Sequence, residues 1–108
     1  MKTLVVLARP PGKQSHNRAY YELVVEQLHE REVPVKTLDL YKEFEDPVLR
    51  FSKQHPRLEE FQSMVAWAER LVFIYPIWWN NMPSILKGWS DIVFSAGFAF
   101  KYETTFLK

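Results

Sequence analysis

The sequence contains no cysteine. That excludes disulfides, thiolate metal sites and a cysteine nucleophile, and it fits a reducing, cytoplasmic setting. Glycine is scarce, three in 108 residues, and neither a Gly-x-Gly-x-x-Gly dinucleotide loop nor a Walker lysine loop is present. An excess of either charge is missing too. Fourteen Lys and Arg against thirteen Asp and Glu leave +1, which gives no reason to invoke nucleic acid or an anionic membrane surface. No apolar run approaches the roughly 20 residues of a spanning helix, so membrane insertion is not expected, and no signal peptide is visible. The three histidines, His16, His29 and His55, are far apart, and His29 and His55 read as surface residues. No Ser-His-Asp set, metal-ligand cluster or carboxylate pair stands out, so an enzyme built on this chain would lean on a cofactor.

Aromatics are what the sequence has in plenty. They make up 16%, and nine of them fall between Tyr75 and Phe106. That is more than a small core needs at one end, and it suggests a planar ligand or a partner surface. Hydrophobic residues at 47% and charged residues at 25% are ordinary for a globular chain. Residues 1–108 amount to one small domain, burying roughly two-thirds of the unfolded surface.

Thr3-Leu-Val-Val-Leu-Ala8 reads as a strand buried on both faces. A loop with Pro10, Pro11 and Gly12 follows, and Ser15 is placed to cap a helix from about His16 to Arg31. That helix would bury Ala19, Tyr20, Leu23, Val24 and Leu28. Val33 to Leu40 alternates as a second, outer strand, with Pro34 near its start. Strand, helix and strand within 40 residues predict a parallel βαβ unit. The polar stretch from Tyr41 to Pro56 reads as a surface loop. A second helix is expected from Arg57 to Arg70, with Leu58, Phe61, Met64, Val65 and Ala68 on one face. Leu71-Val-Phe-Ile74 is a third strand, and Ile85, Leu86, Trp89, Ile92 and Val93 recur at helical spacing after Pro83. Three strands alternating with three helices make the class α/β. The third strand would be an exposed, very apolar edge.

Three places carry possible chemistry. At the first helix start, Arg9, Lys13, Ser15, His16 and Asn17 surround unpaired helix N–H groups, a setting that attracts phosphate; a capped helix with surface cations is the alternative. The Tyr75-Pro-Ile-Trp-Trp-Asn80 loop offers a rigid wall, backbone donors and aromatic faces to a flat conjugated ligand. The lesser alternative is that one tryptophan enters the core and the other packs a subunit interface. Phe98, Phe100 and Tyr102 would line a pocket or bury a dimer contact.

Several stretches together resemble one flavoprotein family. They are Leu7-Ala-x-Pro10, Ser15-His-Asn17, Asp39-Leu-Tyr41, Asp46-Pro-Val-Leu49, Tyr75-Pro-Ile-Trp-Trp79, Met82-Pro-Ser-Ile-Leu-Lys-Gly-Trp89, Asp91-x-Val-Phe94 and Gly97-Phe-Ala-Phe100. The chain is similar over nearly its whole length to the flavodoxin-like NAD(P)H:quinone oxidoreductases, the group of DT-diaphorase and the bacterial potassium-efflux ancillary proteins. The resemblance implies a three-layer α/β/α fold with its parallel sheet truncated here to strands 2-1-3, a homodimer, and FMN or FAD at the strands' carboxyl ends. It also implies hydride transfer from NAD(P)H to the flavin and on to a quinone-like acceptor. By the same resemblance Arg9, Ser15, His16 and Asn17 would hold flavin phosphate. Pro76, Ile77, Trp78, Trp79 and Asn80 would wrap the isoalloxazine, and Phe98, Phe100 and Tyr102 would reach the partner subunit's site. Two departures accompany it. Arg9 stands where the family usually has His, and a guanidinium still suits a pyrophosphate. Family members continue for several tens of residues past Phe106-Leu-Lys108, so this chain is expected to carry about half of the family's site. The alternative function is a non-catalytic flavin-binding or dimerisation module.

Overall fold

The computed structural model describes residues 1–11, 16–50, 53–95 and 97–100. Its three strands are β1 (Thr3–Leu7), β2 (Val35–Asp39) and β3 (Arg70–Ile74). They pair in parallel in the order β2-β1-β3, with Val5 opposite Thr37 on one side and Val72 on the other. All five residues of β1 are buried, as the unbroken apolar run required of a central strand. Side chains alternate across a strand, and the core follows that rule. Leu4, Val6, Ala8 and Leu38 join one cluster with Phe61, Leu86 and Trp89, whereas Val5 and Leu7 are buried outside it. The cluster's face is covered by α3 (Leu58–Trp67) and α4 (Ser84–Val93), and the opposite face by α1 (His16–Glu30). The fold is the expected α/β sandwich. Among the described residues β3 has a neighbour on one side only.

Helix α1 turns a different stripe inward from the one its sequence suggests. Tyr20 and Leu23 are 63% and 51% exposed, while Tyr21, Val24, Val25 and Leu28 are half-buried. Apolar residues are nearly continuous from Ala19 to Val25, so periodicity permits two phases. An ion pair marks the one adopted: Arg18 Nη2 lies 3.1 Å from Asp39 Oδ2 at the end of β2. Residues 18, 21, 25 and 28 share that face.

A short helix, α2 (Leu40–Glu43), occupies the start of the stretch expected to be loop. Its ends explain it. Asp39 N–H donates to Glu43 Oε2 at 2.9 Å, filling an otherwise unpaired donor of the first turn. Leu40 and Phe44, four apart, are both buried. At the other limit, α3 stops at Trp67, three residues short of Arg70. There the N–H groups of Glu69 and Arg70 donate to Lys2 O at 2.8 and 3.0 Å, tying the chain into the sheet instead.

Helix α4 buries all five of its expected positions. Trp89, fully buried, meets the rings of Phe61, Phe73 and Phe94 edge-on at centroid distances of 6.2, 6.2 and 5.8 Å. Gly88 lets the segment after α2 cross this helix in contact. A Cβ there would sit 2.1 Å from Pro47 O, so the Asp46-Pro47 and Lys87-Gly88-Trp89 stretches form one packed joint.

Candidate functional site

Parallel strands bring their following loops to one edge of the sheet, where ligands of open α/β folds bind. Here the ladder runs to that edge, because Ala8 N–H still donates to Ile74 O at 2.9 Å. Arg9-Pro10 and Tyr75-Pro76 therefore leave adjacent strand ends. Arg9 is half-buried, and its Nε is buried without a hydrogen-bond partner. Its charge is felt at Tyr41, just past β2. Burial raises the Tyr41 hydroxyl above its ordinary range, and the Arg9 guanidinium opposes that shift. In the first turn of α1, His16 is exposed, Asn17 half-buried, and Arg18 holds Asp39, whose Oδ1 is buried without a partner. Ser15 and Lys13 lie outside the described residues.

The β3 loop is a tight turn. Trp78 and Asn81 exchange two backbone hydrogen bonds, 2.9 and 3.0 Å long, around Trp79 and Asn80, whose φ values are 51° and 57°. Two central residues with positive φ define a type I′ turn, normally the province of Asn and Gly. A bulky aromatic in that conformation is an outlier. The strain serves no packing, since Trp79 is 99% exposed. Trp78 is 41% and Ile77 72% exposed, so neither tryptophan of the pair enters the core; Trp89 fills that place.

Arg9, His16, Asn17 and the Pro76–Asn80 segment thus converge on one edge. Phe98 and Phe100 do not join them within the chain. They follow α4, whose ten residues extend for about 15 Å from its start at the β3 loop. Both are partly exposed, in a turn closed by Gly97 N–H donating to Phe100 O at 2.6 Å. Tyr102 lies outside the described residues.

Three features gave no sequence signal. One is the Arg18–Asp39 pair, which joins positions 21 apart. A second is Asn81, whose Oδ1 accepts Met82 N–H at 2.8 Å. The third is a cleft of about 740 Å³ under the segment between α2 and α3, lined by Glu43, Asp46, Arg50, His55, Arg57 and Ile92 among others. His55, expected at the surface, is half-buried there. Its ring lies 5.1 Å from Phe44 and 5.9 Å from Phe61, and its Nδ1 accepts Arg57 N–H at 3.1 Å. Within the cleft Asp46 pairs with Arg50 and Arg57 with Glu43, and Arg57 also pairs with Glu60 outside it. Among the described residues no three His, Asp or Glu side chains gather as a metal site.

A flavin mononucleotide is a dianionic phosphate joined to a planar ring, and the carboxyl edge fits both parts. The orphaned Arg9 Nε–H and the start of α1, the end of a helix that carries partial positive charge, suit the phosphate. The exposed indole at the turn's apex suits the ring.

Comparison with known proteins agrees with this fold. A family model described as the flavodoxin-like fold matches residues 1–107. A ribosyldihydronicotinamide dehydrogenase-like protein of Penicillium crustosum is 34% identical over 91% of this chain and 45% of its own length. The NAD(P)H:quinone oxidoreductase of Methanothermobacter marburgensis superposes with a TM-score of 0.81 at 28% identity, covering 93% of this chain and 57% of that one. The general stress protein 14 of Treponema denticola, solved in complex with FMN, superposes with a TM-score of 0.70 at 26% identity, covering 94% and 53%. This chain spans about half the length of the curated relatives it matches. By its strand order and these matches, the chain belongs to the flavodoxin-like family that includes NAD(P)H:quinone oxidoreductases.

Proposed function

We propose that the chain serves as a flavin-dependent NAD(P)H:quinone-type oxidoreductase. The observation that carries this reading is the convergence, on one sheet edge, of a buried guanidinium nitrogen lacking a partner and a tight turn that displays an aromatic ring. Arg9, Ser15, His16 and Asn17 hold the phosphate of FMN or FAD, and Pro76, Ile77, Trp78, Trp79 and Asn80 bound the ring. A bound flavin supplies the two-electron chemistry, accepting hydride from NAD(P)H and delivering it to a quinone-like acceptor. The chain's own part is to orient the ring and restrict water at the strand ends. Phe98 and Phe100, which follow α4 away from that edge, complete the site of a second copy in a homodimer, together with Tyr102. A cytoplasmic location accords with the absence of cysteine, and no described helix is long and apolar enough to cross a membrane.

The test is direct. The purified chain is titrated with FMN and with FAD while flavin fluorescence is followed, then assayed for NAD(P)H oxidation with a quinone. Quenching with a 1:1 endpoint and quinone-dependent turnover are expected; absence of binding to either flavin sinks the reading. A second reading, a non-catalytic flavin-binding or dimerisation module, is favoured by the half-buried apolar edge of β3. It predicts flavin binding or self-association without NAD(P)H oxidation.

A further inference from the structure

Packing does not orient Trp79, whose side chain is almost wholly in solvent. Its direction is inherited from the turn beneath it, and Trp78 and Asn81 form an isolated bridge with no ladder extending it. Something else must aim the turn. After Asn81 the chain is fastened quickly: Met82 packs against the core, and Pro83 is fully buried. The carbonyl of Pro83 accepts the N–H groups of Leu86 and Lys87 at 3.0 and 3.2 Å, opening α4. Between this anchor and the turn stands one side-chain bond, from Met82 N–H to Asn81 Oδ1 at 2.8 Å. The same Asn81 makes both backbone bonds that close the turn.

We propose that Asn81 is a positioning residue for Trp79: its carboxamide oxygen, by holding Met82 N–H, fixes the angle at which the turn leaves α4 and so the plane in which the indole meets a planar ring. Asn81 does not touch the ligand and acts through the backbone. That the ring is a flavin rests on the function proposed above; the coupling of Asn81 to the turn does not.

The two parts are separable by experiment on the full chain, using N81A, which removes the acceptor, and N81D, which retains one. Amide hydrogen exchange is followed at Trp78 and at residue 81, and FMN affinity is measured in parallel. In N81A both amides are expected to exchange about fivefold faster, the order of one lost exposed hydrogen bond. FMN Kd is expected to rise by a similar factor, and N81D restores both. Unchanged exchange in N81A overturns the proposal, as does faster exchange that N81D fails to restore. Faster exchange with unaltered FMN affinity overturns the positioning role. If the wild-type chain binds no FMN, the flavin reading falls, while the exchange data still decide whether Asn81 aims the turn.

Discussion

Replacing Trp79 with Asn should stabilise the fold while weakening flavin binding. An L-residue in the left-handed region costs about 1–2 kcal/mol, and Asn is among the few side chains that visit it readily. The usual offset, loss of buried apolar area, is absent because the indole is 99% exposed. Nor does Asn bring the extra chain entropy of Gly, about 0.4–1 kcal/mol. Relief of most of the strain leaves a net gain of about 1 kcal/mol. For a domain of this size that raises the melting temperature by about 4–8 °C. Binding should move the other way. An aromatic stacking contact is worth about 0.5–1.5 kcal/mol beyond area, so FMN affinity should fall roughly two- to twelvefold. Far-UV dichroism melts and fluorescence titration measure the two quantities on one sample. W79F is the control, since Phe keeps the conformational strain and much of the stacking face; its melting point should stay at the wild-type value. If W79N melts at or below wild type, the strain argument at the turn is wrong. If it binds FMN as tightly as wild type, the indole is not a wall of the site.

Gly88→Ala tests the joint with Pro47. Helix propensity alone favours Ala by about 1 kcal/mol, but the added carbon would sit 2.1 Å from Pro47 O, and overpacking of this kind costs about 1–3 kcal/mol. A lower melting temperature is expected, and a higher one would show that Pro47 does not press on the helix. Arg9→Gln removes a charge without emptying the space: FMN affinity should drop about tenfold, while riboflavin, which lacks the phosphate, should bind as before. In the same variant the Tyr41 hydroxyl, no longer opposed by the guanidinium, should titrate still higher by ultraviolet difference spectroscopy. A raised phenol binds its proton more tightly when folded, so the stabilisation it confers is lost as alkaline pH rises through the folded value. Arg50→Ala should let the Asp46 carboxyl, held low mainly by its hydrogen bond to Arg50, return upward in a carboxyl-detected NMR titration. Because that pair is exposed, the melting temperature should barely move. A large drop would mean the cleft wall depends on it.

Much of the fold could be read directly from the residues. Thr3 to Leu7 forms a central strand because five consecutive residues suit burial on both faces, and α4 declares itself through the spacing of Ile85, Leu86, Trp89, Ile92 and Val93. Patterns of this kind are local, repeating over two to four residues, and any sheet or core that forms must honour them. The positions of Arg9, Asn17 and the Trp78-Trp79 loop on one edge follow from parallel connection alone. Tertiary structure decided what local pattern left degenerate. It chose between two apolar stripes on α1, and Arg18 meeting Asp39 marks the choice. His55 became a packed ring because Phe44 and Phe61 arrive from other elements. Likewise, Gly88 owes its necessity to a carbonyl 41 positions earlier. The left-handed turn at Trp79 and Asn80 carried no glycine to announce it, and it is closed by backbone bonds between Trp78 and Asn81. A sequence records which surfaces must be hidden from water; which particular atoms then come into contact depends on distances that exist only once the sheet and helices have packed.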